Sequence, residues 1–157
     1  MEKEKLADIM QRGGIFKDIK GNKPEEVLGS LINLMPPNEA LPKDTLLKAV
    51  LEREALMSTG IGRGIAIPHP RSHLLESEQD QIINIAFLEN PVDWNSIDGE
   101  KVDTLILIIS ASTRQHLHTL SAINFLCRQD DFCIMLKERS SLEKLLVFIR
   151  EVEKQWI

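Results

Sequence analysis

The sequence predicts a single α/β domain, a mixed β-sheet flanked by helices, over residues 1–157. Segments with apolar residues at helical spacing alternate along the chain with short β-rich runs, the pattern of strands interleaved with helices. One such run, Thr104-Leu-Ile-Leu-Ile-Ile109, is almost continuously apolar, as expected of a central strand covered on both faces. A length of 157 residues, with 43% hydrophobic and 27% charged content, suits one soluble globular domain with a real core.

The elements follow in order. Residues 2–12 place Leu6, Ile9 and Met10 at helical spacing, and Gly13-Gly14 ends that run. Ile15-Phe16-Lys17-Asp18-Ile19 is β-compatible and is turned by Gly21-Asn22. From Lys23 to Met35, a proline in the first turn and two early glutamates mark a helix start, Val27, Leu28, Leu31, Ile32 and Leu34 form its apolar face, and Pro36-Pro37 stops it. Pro42 to Leu56 is a further helix with Leu46, Leu47, Val50 and Leu51 inward. A glycine-rich loop then leads to a short strand, Ile65-Ala66-Ile67. Asp80 to Leu88 reads as a strand with Asn90-Pro91 as its exit, and Val92 to Gly99 as a loop suited to a binding rim. After the Thr104–Ile109 strand come helices at about 114–128, 131–138 and Ser141 to Trp156, the last with a capping serine.

Composition narrows function. A net charge of −5 argues against a nucleic-acid face, which needs clustered Lys and Arg to neutralise phosphates, and favours a basic protein partner. Cys127 and Cys133 lie in apolar surroundings without a C-x-x-C spacing and read as buried free thiols of a reducing compartment. Met1-Glu-Lys-Glu-Lys5 is too polar for a secretory signal and no apolar run approaches membrane-spanning length. A cytoplasmic protein without direct membrane insertion is therefore expected.

The stretch that carries chemistry runs from Arg53 to Arg71. It breaks from helix at Ser58-Thr59-Gly60, passes Gly60, Gly62 and Gly64, and delivers His69 between Pro68 and Pro70. Ile67 and His69 both precede a proline, which restricts their backbone to extended conformations. A histidine so constrained reads as a nucleophile or ligand held at a strand end, against the alternative of an ordinary surface or core histidine. Histidine titrates at about 6.5, so at cytoplasmic pH much of it is already the neutral, nucleophilic imidazole. Arg53, near the end of its helix, offers a permanently charged planar fork. His116 opens a helical segment, where the helix dipole also favours anions. His118, two residues on, points elsewhere on a helix and reads as structural.

Other chemistries fit less well. His69-x3-His73 would need a helix to bring a metal-binding pair together, and the prolines oppose one; His116 and His118 diverge on a helix, and no H-E-x-x-H is present. No metal is expected. Gly60-x-Gly62-x-Gly64 is neither a dinucleotide fingerprint nor a phosphate loop, so no cofactor is expected either. A serine hydrolase lacks its G-x-S-x-G elbow.

Ser58-Thr59-Gly60-Ile61-Gly62-Arg63-Gly64-Ile65-Ala66-Ile67-Pro68-His69 resembles the phosphohistidine segment of the fructose/mannitol-type enzyme IIA domains of the bacterial phosphoenolpyruvate:sugar phosphotransferase system. His116-Leu-His-Thr-Leu-Ser121 resembles the second histidine region of those domains, closest to the nitrogen-regulatory branch. The resemblance implies the fructose/mannitol-type IIA fold, His69 as the phosphorylated residue, and Arg53 and His116 beside it. It implies phosphate received from an HPr-like phosphocarrier protein, and either a regulatory target or a IIB component downstream; the second histidine region leans toward regulation. Gly60, Gly62, Gly64 and Arg71 are the candidate phosphate- or partner-binding positions. The chain departs from the family pattern at Pro70, where many members carry glycine or another small residue, so that a backbone N–H is absent there. Arg71 is the candidate replacement for that donor.

Overall fold

In the computed structural model, which describes residues 5–156, a five-stranded sheet has helices packed on both faces. The order of elements is α1 (Leu6–Gly13), β1 (Ile15–Ile19), α2 (Pro24–Leu34), α3 (Lys43–Leu56), β2 (Gly60–Gly62), β3 (Ile65–Ala66), a 3₁₀ turn (Glu78–Asp80), β4 (Ile82–Val92), β5 (Val102–Ile109), α4 (Thr113–Cys127), α5 (Asp130–Lys137) and α6 (Leu142–Lys154). The expected first helix begins at residue 2, and residues 2–4 lie outside the described part. No helix among the described residues is long and apolar enough to cross a membrane.

The strands lie in the order β1-β4-β5-β3-β2. β1 runs parallel to β4 and β3 parallel to β5, whereas β4 and β5, and β2 and β3, are antiparallel, so the sheet is mixed as expected. β5 is central, and Leu105 to Ile109 are all buried, which accounts for the unbroken apolar run there. The alternation of side chains sends Ile83, Ile85, Phe87, Ile106 and Ile108 to the face covered by α1, α4, α5 and α6. Ala86, Leu88, Leu105, Leu107 and Ile109 face α2 and α3 on the other side.

Some of the helix ends are secured by residues far away in sequence. The Leu6 and Ala7 N–H groups, left without partners at the start of α1, donate to the two carboxylate oxygens of Glu153 at 2.8 and 2.9 Å. At the other end of α1, a Cβ on Gly13 would lie 2.1 Å from the Ile83 carbonyl oxygen, so only glycine lets α1 approach β4 this closely.

Two stretches differ from the sequence expectation. β4 does not end at Asn90-Pro91 but continues to Val92. Its pairing with β5 jumps from Phe87–Thr104 to Val92–Val102, so Pro91 sits in an exposed bulge where its missing N–H costs no ladder bond. The glycine-rich stretch is not simply a loop: Gly60–Gly62 is the edge strand β2, paired with β3 in a tight hairpin. Gly62, Arg63 and Gly64 turn it with φ of +96°, +58° and +79°. Arg63 is the non-glycine member of this left-handed run, and its N–H donates to Asp98 Oδ2 at 2.9 Å.

Candidate functional site

The topology gathers the site at one end of the sheet. β3 and β5 run parallel, and their ladder extends past Ala66, with the Ile108 N–H donating to the Pro68 carbonyl at 3.1 Å. The chain leaving β3 therefore carries His69 beside the end of β5, and the chain leaving β5 enters α4, whose first turns carry His116. Because β2 is antiparallel to β3, its start lies at the same end. The Ile67 N–H donates to the Thr59 carbonyl at 3.0 Å, which places the end of α3, with Arg53, next to both histidines. This is the carboxyl end of parallel strands, where open α/β sheets hold their ligands.

His69 is 7% exposed, between buried prolines. Its Nδ1 lies 2.7 Å from the carbonyl oxygen of Ile67. A carbonyl only accepts, so Nδ1 carries the proton and Nε2 is left with the lone pair. This acceptor is main chain and has no signature in the sequence. The His116 ring stands 4.8 Å from that of His69, centroid to centroid, tilted by 50°. His116 Nδ1 faces the Ser110 hydroxyl at 3.4 Å, and the Ser112 side chain caps α4 by accepting the Gln115 N–H at 3.2 Å.

Burial holds the His69 pKa below its ordinary 6.5; the hydrogen bond to Ile67 opposes the shift, the charge of Arg53 adds to it, and that of Glu54 opposes it. His116 falls further, to about 4, through burial first and then through the nearby His69 and Arg53. Both rings are thus kept neutral at pH 7, and Arg53 is the cation both of them feel. Its Nη1 donates to the Met57 carbonyl at 2.6 Å, so the guanidinium also caps the end of α3.

The structure therefore brings His69, His116 and Arg53 together. Gly60, Gly62 and Gly64 lie in the β2–β3 hairpin, against the 93–101 loop and α5: a Cβ on Gly60 would meet Ser96 Oγ at 2.1 Å, one on Gly62 Asp98 Oδ2 at 2.9 Å, and one on Gly64 Lys137 Nζ at 2.5 Å. Arg71 follows buried Pro70, is exposed, and makes no hydrogen bond or ion pair among the described residues. His73 is exposed, and no group of three or more His, Cys, Asp or Glu side chains able to hold a metal occurs among the described residues. Cys127 and Cys133 are unpaired and buried, and burial pushes the Cys127 thiol up to about 12.

A residue not picked out from the sequence also belongs here. Glu54 accepts both the N–H and the hydroxyl of Thr59, at 2.8 and 2.5 Å. A signal was present: a carboxylate in the last turn of a helix opposes the helix dipole, a position that calls for a partner elsewhere.

Residues 8–152 match the family described as phosphoenolpyruvate-dependent sugar phosphotransferase system, EIIA 2. The chain belongs to that family. It is a IIA component of the phosphotransferase system, a family whose chemistry is phosphoryl transfer. Among this IIA chain's relatives, the nitrogen regulatory protein of Pseudomonas aeruginosa is 32% identical over 154 residues, covering 95% of this chain and 97% of that one. The crystal structure of nitrogen regulatory protein IIA-Ntr from Neisseria meningitidis superposes with a TM-score of 0.78 at 23% identity, over 92% of this chain and 98% of that chain. The fold is also that of the mannitol IIA of Escherichia coli, solved as a complex with phosphorylated mannitol IIB, with a TM-score of 0.62, 18% identity and coverage of 88% and 95%.

Proposed function

We propose that this IIA chain carries a phosphoryl group on Nε2 of His69, received from an HPr-type phosphocarrier, and that it serves as a nitrogen-regulatory component in the cytoplasm. The observation that carries the reading is the Nδ1 contact of His69 with the Ile67 carbonyl, which leaves Nε2 as the nucleophile beside a neutral imidazole and a guanidinium. In the reaction the Nε2 lone pair forms the new N–P bond as the N–P bond of the donor phosphohistidine breaks, and the donor ring recovers its lone pair. The Nδ1 proton stays in place, so the hydrogen bond to Ile67 holds the ring through the reaction. Arg53 and the N-terminal end of α4, which begins one short turn before His116, supply positive potential for the transferred oxygens. Neutral His116 is a hydrogen-bond partner for those oxygens and does not compete as a charged group.

The regulatory assignment rests on a full-length relation to nitrogen regulatory protein at 32% identity. A second reading, a sugar-transport IIA that hands phosphate to a IIB component, is favoured by the shared fold with mannitol IIA in its IIB complex. The test is phosphorylation with the general phosphotransfer enzyme, the carrier and phosphoenolpyruvate. One acid-labile phosphate per chain is expected, absent in His69→Ala; label retained by that variant refutes the assignment. Adding a IIB component to the phosphorylated protein then separates the readings, since prompt loss of label to it supports transport.

A further inference from the structure

We propose that Glu54 is a positioning residue for His69, acting through Thr59 on the strand that carries the histidine. The proposal rests on the reading of His69 as the nucleophile and deepens it. The chain of contacts is short and leads from a half-buried carboxylate through buried Thr59 and Ile67 to His69. Glu54 Oε2 accepts the Thr59 N–H at 2.8 Å and Oε1 accepts the Thr59 hydroxyl at 2.5 Å, so one carboxylate grips one residue twice. Thr59 is 4% exposed, and its hydroxyl oxygen also accepts the Trp94 indole N–H at 3.3 Å. The next residues are tied in too: Ser58 Oγ donates to the Trp94 carbonyl and accepts the Gly60 N–H at 3.0 Å. From Thr59 the path continues in the main chain. Its carbonyl accepts the Ile67 N–H at 3.0 Å, and the Ile67 carbonyl accepts the His69 Nδ1 proton at 2.7 Å.

Ile67 is thus held on its N–H side by Thr59 and presents its carbonyl to His69. Displacement of Thr59 moves that carbonyl, and with it the acceptor that decides which ring nitrogen is protonated. β3 itself comprises only Ile65–Ala66. Beyond it the segment to His69 is held on one side by the Ile108 N–H bond to the Pro68 carbonyl and on the other by the Thr59 carbonyl, and only the Thr59 contact acts on Ile67 itself. The location of Glu54 fits this role and no helical one. It lies in the last turn of α3, where the dipole disfavours a negative charge, and the adjacent Arg53 has taken the capping task. The two consecutive residues thereby divide the work: Arg53 supplies the cation at the site and Glu54 fixes the strand. The Glu54 charge also reaches the ring, opposing the downward pull of burial and Arg53 on the His69 pKa.

The experiment reads the His69 ring directly, in 15N-labelled, unphosphorylated protein, by long-range proton–nitrogen NMR. Wild type should show Nδ1 protonated and Nε2 bare. Glu54→Ala should show a mixture of tautomers, and its phosphoryl uptake from the phosphorylated carrier should fall about tenfold or more, as expected for a misplaced reacting group. Glu54→Gln keeps the shape but only one of the two acceptors for Thr59, so it should show a smaller fraction of the second tautomer than Glu54→Ala, and a His69 pKa lowered as Arg53 is no longer opposed. A single wild-type tautomer in Glu54→Ala overturns the proposal; where the alanine variant does not fold, a single wild-type tautomer in Glu54→Gln overturns it. The ring spectra need no phosphoryl donor, so failure of His69 to accept phosphate would overturn the functional reading separately.

Discussion

Protonation of His116 offers a quantitative test of how the site is built. Folding buries this imidazole against His69 and near Arg53, which brings its pKa from 6.5 to about 4. The unfolded chain takes up this proton near the ordinary value and the folded chain only near the lowered one. Between the two the unfolded state binds more protons, so stability must fall as pH drops through that window and be indifferent to His116 above it. The interval is about 2.5 pH units, and at about 1.36 kcal/mol per unit the ceiling is about 3.4 kcal/mol. His116 is only half-buried, and solvent screening reduces the expected effect to about 1–2 kcal/mol. Glutamine at this position cannot titrate. Denaturant unfolding of wild type and His116→Gln, at about pH 7.5 and about pH 4.5 with unchanged m-values, should show wild type losing about 1–2 kcal/mol more on acidification. His69 titrates in both proteins, so the difference between the two profiles reads His116 together with its coupling to His69. Parallel pH profiles would refute the reasoning, since they would mean that His116 protonates as easily in the fold as outside it.

Arg53→Ala removes the cation that both imidazoles feel, and should slow phosphoryl uptake by about 10²–10³ while raising the NMR-measured pKa of His69 and His116; unchanged pKa values would place the guanidinium elsewhere in solution. At Pro70, where no backbone N–H exists, Arg71→Ala should shorten the lifetime of the phosphorylated form more than it does in Pro70→Gly, where the N–H returns. A loss of equal size in both backgrounds would take Arg71 out of the site. Gly60→Ala pushes a methyl to 2.1 Å from Ser96 Oγ and 3.0 Å from its Cβ, and should cost about 1–3 kcal/mol in denaturant unfolding; an unchanged midpoint would show that the 93–101 loop yields freely.

Local chemistry along the chain was sufficient for much of this protein. The alternation of helical and β spacing, the buried run Leu105–Ile109 and the proline at the start of α2 are properties of neighbouring residues, and the α/β class followed from them. Backbone restriction by consecutive X-Pro bonds likewise singled out His69, because it acts within a dipeptide. Strand pairing was less accessible. The two glycines of Gly60–Gly62 disfavour a strand, and the segment becomes one through its pairing with β3, while Pro91 is tolerated in β4 through a bulge that only the β5 register reveals. The site belonged most to tertiary structure. Residues 53, 69 and 116 meet because β3 and β5 are parallel and β2 is not, which no local pattern states. The acceptor that sets the His69 tautomer is a main-chain carbonyl, a group every residue owns, so no side chain could announce it. The lowered pKa of His116 comes from burial and from charges distant in sequence, quantities that exist only once the chain has closed around them.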